Sequence, residues 1–189
     1  MDATKLLVAD HNRVKGLFAR YKKAHEASHT KEAAALADKI IEELRVHTTI
    51  EEEVFYPAVH DMSEKLADAV DEGVEEHHVV KILLDEIEGL TPGSDEWSAK
   101  MTVVMESVEH HVEEEEGEMF PKVRSNSEAA RREELGDLLE ARKAELGAPT
   151  FEDKVSMTTQ ELSAKAKEQD IPGRSTMDHA ELAATVAPD

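Results

Sequence analysis

The segment "EHHVEEEEGEMFP", residues 109–121, places two histidines ahead of an acidic run that ends at a proline. The segment "RVHTTIEEEVFYP", residues 45–57, repeats its plan. His47 lies ten residues before Pro57, and His111 lies ten before Pro121. Glu51 and Glu115 each fall four residues after their histidine, and an aromatic residue, Tyr56 or Phe120, precedes each proline. The shared unit is His-x-x-x-Glu-x5-Pro, and it selects His111 over His110 and Glu115 over its acidic neighbours. Helical periodicity selects the same residues. Ile40, Leu44, His47, Glu51 and Val54 share one face, as do Val104, Val108, His111, Glu115 and Met119. A histidine and a glutamate at i and i+4 lie on one helix face and can grip one ligand.

Each unit has a histidine upstream on an apolar stripe. His11 sits between Leu7 and Val14, and His77 between Val74 and Val80/Leu84, whereas His78 falls off the stripe. The spacing from His11 to His47 is 36 residues and from His77 to His111 it is 34. The chain thus reads as two helix pairs, each giving one His and then a His-x-x-x-Glu. The periodicity predicts helices over about 2–27 (Leu7, Val14, Phe18, Tyr21), 31–59, 63–89 with Ser63 as cap, and 94–119. The Pro-Gly turn in "LTPGSDEW" separates the last two. A fifth helix over about 127–146 carries Leu135, Leu138, Leu139 and Leu146 to lay on the others. The expected fold is all-α: an up-down-up-down four-helix bundle with an additional C-terminal helix and a small helical tail. Its boundaries are 1–147 for the bundle and fifth helix, 148–157 for a linker, and 158–189 for a tail of two short helices around "IPGRS".

A bundle brings His11, His47, Glu51, His77, His111 and Glu115 to one level. Burying a carboxylate without a partner is costly, so six such groups without a cation would be strongly frustrated. Imidazole and carboxylate together suit iron, manganese or zinc, and with no cysteine in the chain a thiolate zinc knot is excluded. Six side chains exceed one tetrahedral ion and suit two ions about 3.5 Å apart bridged by carboxylates.

Composition bounds the rest. The 189 residues suit one domain with an appendage, and aromatics make up only 4%. A net charge of -21 repels phosphate backbones and anionic membranes, which makes nucleic acid and membrane poor partners. The N-terminus "MDATKLLVADHNRVKGLF" lacks the apolar run of a signal peptide, and no segment reaches membrane-spanning length. A cytoplasmic location is the expectation.

The segments "DH" at 10–11, "HTTIEEEVFYP" at 47–57, "EEHHVVKILLDEI" at 75–87 and "HHVEEEEGEMFP" at 110–121 resemble the hemerythrin-like, "HHE" cation-binding family over about residues 3–124. The resemblance implies a non-haem centre of two Fe ions, oxo- or hydroxo-bridged, held by His11, His47, Glu51, His77, His111 and Glu115. Oxygen-carrying members have a fifth histidine on the third helix and an Asp on the fourth. Here Gly73 and Lys81 flank His77 at four residues, and Glu115 replaces the Asp. Fewer protein ligands imply more open iron positions, and so chemistry with hydrogen peroxide, nitric oxide or dioxygen rather than reversible oxygen carriage. Similar proteins of actinobacteria have been linked to catalase-like peroxide removal and to nitric oxide handling. The leading expectation is therefore a di-iron oxidoreductase with catalase- or peroxidase-like activity or a nitric oxide detoxifying role. The alternatives are a non-enzymatic sensor, carrier or store of O2, NO or iron, and a purely structural metal bundle. Tyr21 and Tyr56, the only tyrosines, are candidates to donate a hydrogen bond, fill an open position or relay electrons, or simply to pack the core.

Residues 158–186 resemble the N-terminal module of the transcription terminator Rho, which often binds nucleic acid. Residues 150–189 hold eight acidic against four basic residues, so a protein-docking role for the tail is the expectation.

Overall fold

The computed structural model describes residues 1–148 and 157–186. Helices α1 (Ala3–Glu26), α2 (Thr30–Ile50), the one-turn α3 (Tyr56–Val59), α4 (Glu64–Glu88), α5 (Asp95–Glu114), α6 (Phe120–Asn126), α7 (Ala129–Glu145), α8 (Thr159–Glu168) and α9 (His179–Thr185) follow along the chain. The long helices α1, α2, α4 and α5 form the all-α bundle, with no strand among the described residues. Three of them start on side-chain caps, where Asp2, Ser63 and Ser94 accept from the backbone N–H groups of Thr4, Leu66 and Trp97. Among the described residues no helix is long and apolar enough to cross a membrane.

The apolar stripes meet as two core clusters. One holds Val14, Phe18, Tyr21, Leu44, Val80, Leu84, Trp97 and Val108. The other holds Leu7, Ile50, Phe55, Val70, Met119, Phe120, Leu135 and Leu139. Each bundle helix passes from one cluster to the other, and it carries its histidine at the crossing. Val74 is a correction to the expected stripe: it is 38% exposed.

Neither proline stops its helical run. At each repeat the backbone widens for one turn into a π-helix, Glu51–Phe55 and Glu115–Met119. The N–H of Tyr56 bonds the carbonyl of Glu51, and that of Phe120 bonds Glu115, both five residues back. Pro57 and Pro121 then open the next helices, α3 and α6, near their first turn. The reason is steric. A proline ring clashes with the carbonyl four residues before it and offers no N–H, and a widened turn relieves both problems.

Helix α7 packs across α1 and α2. Leu135 and Leu139 enter the core, but the expected Leu138 and Leu146 are 49% and 37% exposed. Leu138 lies off the buried face, and Leu146 sits past the last turn as the C-cap. The buried position near that end is taken by Lys143 instead.

The tail folds around its own apolar group, which includes Leu162, Ile171, Leu182 and Val186. Its two helices start with capping boxes at Thr158/Glu161 and Asp178/Glu181. It rests on α1: Arg13 donates to the Ala184 carbonyl at 3.2 Å and Lys23 to Asp170 at 2.7 Å. Gly16 permits this approach, since a Cβ there would lie 2.6 Å from the Gln169 carbonyl oxygen. Most of the expected linker, 149–156, lies outside the described residues.

Candidate metal centre

Between the two apolar clusters lies one polar layer. His11 comes from α1, His47 from α2, His77 from α4 and His111 from α5, while Glu51 and Glu115 open the two π turns. All six are buried. The neighbouring His110 is 63% exposed, against 7% for His111. The histidines form two couples, with His11 Nε2 3.2 Å from His47 Nε2 and His77 Nε2 3.1 Å from His111 Nε2. Each carboxylate spans both couples. Glu51 Oε2 lies 3.2 Å from His47 Nε2 and 3.4 Å from His77 Nε2. Glu115 Oε2 lies 3.2 Å from His11 Nε2 and 3.6 Å from His111 Nε2.

The outer ring nitrogens determine which inner ones carry lone pairs. His11 Nδ1 pairs with Glu116 at 2.9 Å, His77 Nδ1 with Glu52 at 3.0 Å and His111 Nδ1 with Glu76 at 2.6 Å. An ionised carboxylate only accepts, so these Nδ1 atoms carry protons, and on a neutral ring the Nε2 then faces inward as a lone pair. Two lone pairs 3.1 Å apart, on His77 and His111, repel unless a cation stands near them. A proton does not fill that role on His77, because burial pushes its imidazole below the ordinary value. Among the described residues, neither oxygen of Glu51 nor Glu115 Oε2 has a hydrogen-bond partner. Burial, then the Glu115 charge, pushes Glu51 well above the usual carboxylate range. Such buried, unsatisfied donors fit a divalent cation. They fall into two ligand groups that share Glu51: His11, His47, Glu51 and Glu115, and Glu51, His77 and His111.

The acceptors Glu52, Glu76 and Glu116 and the buried Asp10 were not singled out from the sequence. A signal for two of them was present. Glu52 and Glu116 each fall five residues after the histidine of their repeat. Each serves the other helix pair: Glu52 takes His77, and Glu116 takes His11. Asp10 precedes His11 as Glu76 precedes His77. Yet His47 Nδ1 lies 3.8 Å from Asp10, beyond hydrogen-bond length, because Asp10 is held by Lys143 at 2.6 and 2.8 Å and by Arg13.

The tyrosines part company. Tyr56 donates to Glu115 Oε1 at 3.1 Å and lies 3.4 Å from both His77 Nε2 and His111 Nε2. Burial, then the Glu51 charge, pushes its phenol well above the ordinary range, so it stands there as an O–H. Tyr21 does not join the group. Ten residues along a helix at 1.5 Å each carry it about 15 Å from His11. It stacks on His25 and packs on Trp97, and its hydroxyl has no partner among the described residues.

Residues 2–123 match the family described as Hemerythrin HHE cation binding domain. The chain belongs to this family. It carries that family's cation-binding domain, and its buried His/Glu groups are placed so that they could hold a metal ion. The chain is also similar to a protein of Nostoc sp. (strain PCC 7120 / SAG 25.82 / UTEX 2576) named DNA nickase, at 25% identity over 146 residues. That match covers 77% of this chain and spans 40% of the relative's length. No solved structure matches.

Proposed function

We propose that His11, His47, Glu51, His77, His111 and Glu115 hold two iron ions, and that the site turns over hydrogen peroxide in a catalase- or peroxidase-like reaction. The observation that carries this reading is the position of Glu51 and Glu115, each within 3.6 Å of one histidine from both couples. Bound there, iron supplies a one-electron couple and open positions for a small ligand. The chain's own residues do the rest. Glu52, Glu76 and Glu116 fix the ring orientation of His77, His111 and His11. Tyr56 offers the hydroxyl closest to the His77–His111 couple, a hydrogen-bond donor for a bound oxidant. The apolar clusters close the two ends of the polar layer.

A second reading, nitric oxide or dioxygen binding without turnover, is favoured by one feature. An apolar cavity of about 20 Å³ adjoins His11, His47, His77 and His111, which is room for one water-sized molecule. The relative's name raises DNA as a partner, but the net charge of -21 opposes phosphate binding. The tail is proposed as a protein-docking element.

Metal content and an absorption spectrum of the purified chain, followed by oxygen release on adding peroxide, test the proposal. Two irons per chain and rapid oxygen release support it. Two irons with a spectral change but no release favour the binding role, and absence of iron rejects both.

A further inference from the structure

The six inward residues are buried, with side chains at most 8% exposed, so a cation needs a way in. The apolar clusters close both ends of the layer, and α7 and the tail cover α1. The α4–α5 side differs. A cleft of about 180 Å³ opens there, walled by Glu72, Glu76, Glu114 and Glu118, with His111 and Glu115 also lining it. That volume admits several waters, and so an ion with part of its shell. Gly73 also lines the cleft, and its lack of a side chain lets Tyr56 pack close, since a Cβ there would stand 2.9 Å from the Tyr56 hydroxyl. Ligand atoms of Glu76, His110 and Glu114 lie within 4.8 Å of one another. Further in, Glu115 is 1% exposed and its Oε2 has no hydrogen-bond partner among the described residues, an oxygen that calls for a cation. Glu76 links the two places, facing His110 at 3.9 Å and accepting from His111 at 2.6 Å.

We propose that divalent cations reach the buried site through the α4–α5 cleft, and that Glu76, His110 and Glu114 hold them first at its mouth. The inference rests on the two-ion reading above. Carboxylates lining a cleft focus the field and raise the capture rate of cations without setting the final affinity. His110 and Glu114 are 63% and 44% exposed, so replacing them leaves the core intact.

The test mixes metal-free full chain with Co2+ in a stopped-flow instrument and follows Co2+ absorption. The double variant His110→Asn/Glu114→Gln is expected to load about tenfold more slowly at low salt, with less difference at high salt. It should reach the same two ions per chain as the unaltered protein. Glu42→Gln, an exposed carboxylate on α2, removes the same charge elsewhere and should load at the normal rate. Normal loading by the double variant, or equal slowing by Glu42→Gln, overturns the inlet while leaving the two-ion reading intact. No uptake by the unaltered chain rejects both.

Discussion

The α1–α2 pair and the α4–α5 pair carry the same pattern of residues in different surroundings. In each, an acid precedes the first histidine, and that acid faces the Nδ1 of the second. In the α4–α5 pair, Glu76 meets His111 at 2.6 Å. In the α1–α2 pair, Asp10 stands 3.8 Å from His47, because Lys143 of α7 and Arg13 hold it. The aromatic before each proline stacks on the first-helix histidine of the other pair: Phe120 on His11 with centroids 5.8 Å apart, Tyr56 on His77 at 5.4 Å. Only the second carries a hydroxyl. Four residues before the first histidine stands Leu7 in one pair, fully buried, and Gly73 in the other, beside the cleft. The repeat builds a nearly symmetric set of donors. The elements added around it make one side a supported wall and the other an open, hydroxyl-bearing face.

The comparison breaks most sharply at Asp10. Asp10→Ala takes from the buried Lys143 the carboxylate that holds it and leaves Arg13 with Glu43 and the Ala184 carbonyl, and we expect a loss of about 3–5 kcal/mol in thermal or urea unfolding. The matching change, Glu76→Ala, should cost little stability, because Glu76 is only partly buried. It should instead weaken metal binding tenfold to a hundredfold, as loss of a ligand's outer acceptor typically does, read by titration with a competing chelator. If both changes act alike, the two halves are equivalent after all.

The looser tie of His47 has a pH signature in the metal-free protein. Burial lowers its imidazole from 6.5 to about 4. The unfolded chain therefore takes up this proton first, and the stability contributed by neutral His47 is present above 6.5 and lost as pH falls through about 4. His47→Gln should flatten that part of the stability–pH curve, measured by denaturant unfolding. Exchanging the hydroxyl gives the smallest effect on folding. Tyr56→Phe removes one hydrogen bond, worth about 1 kcal/mol, and is expected to slow peroxide turnover more than it lowers stability. Phe120→Tyr places a phenol in the other half and should not restore turnover to the Tyr56→Phe protein.

The bundle was legible because its signals are local. Apolar residues at helical spacing, a cap at Ser63, and a repeated histidine–glutamate step each read from a few neighbouring positions. The choice of His111 over His110 was legible for the same reason, as one turn of helix separates core from solvent. The π turns were not, because apolar spacing does not show that a turn must widen for a helical run to pass Pro57 or Pro121. Nor was the fate of Tyr21, which shares a face with His11 but stands too far along it.

The sequence by itself determined an all-α chain with four histidines and two glutamates on inward faces, since helix period and burial cost depend on the order of residues alone. Tertiary structure decided what order cannot express. It put Glu52 and Glu116 on histidines of the opposite helix pair, drew Asp10 to Lys143, brought Tyr56 to one couple, and left a cleft at Gly73. Each of these is a contact between residues tens of positions apart, and its energy depends on which helices come to lie side by side.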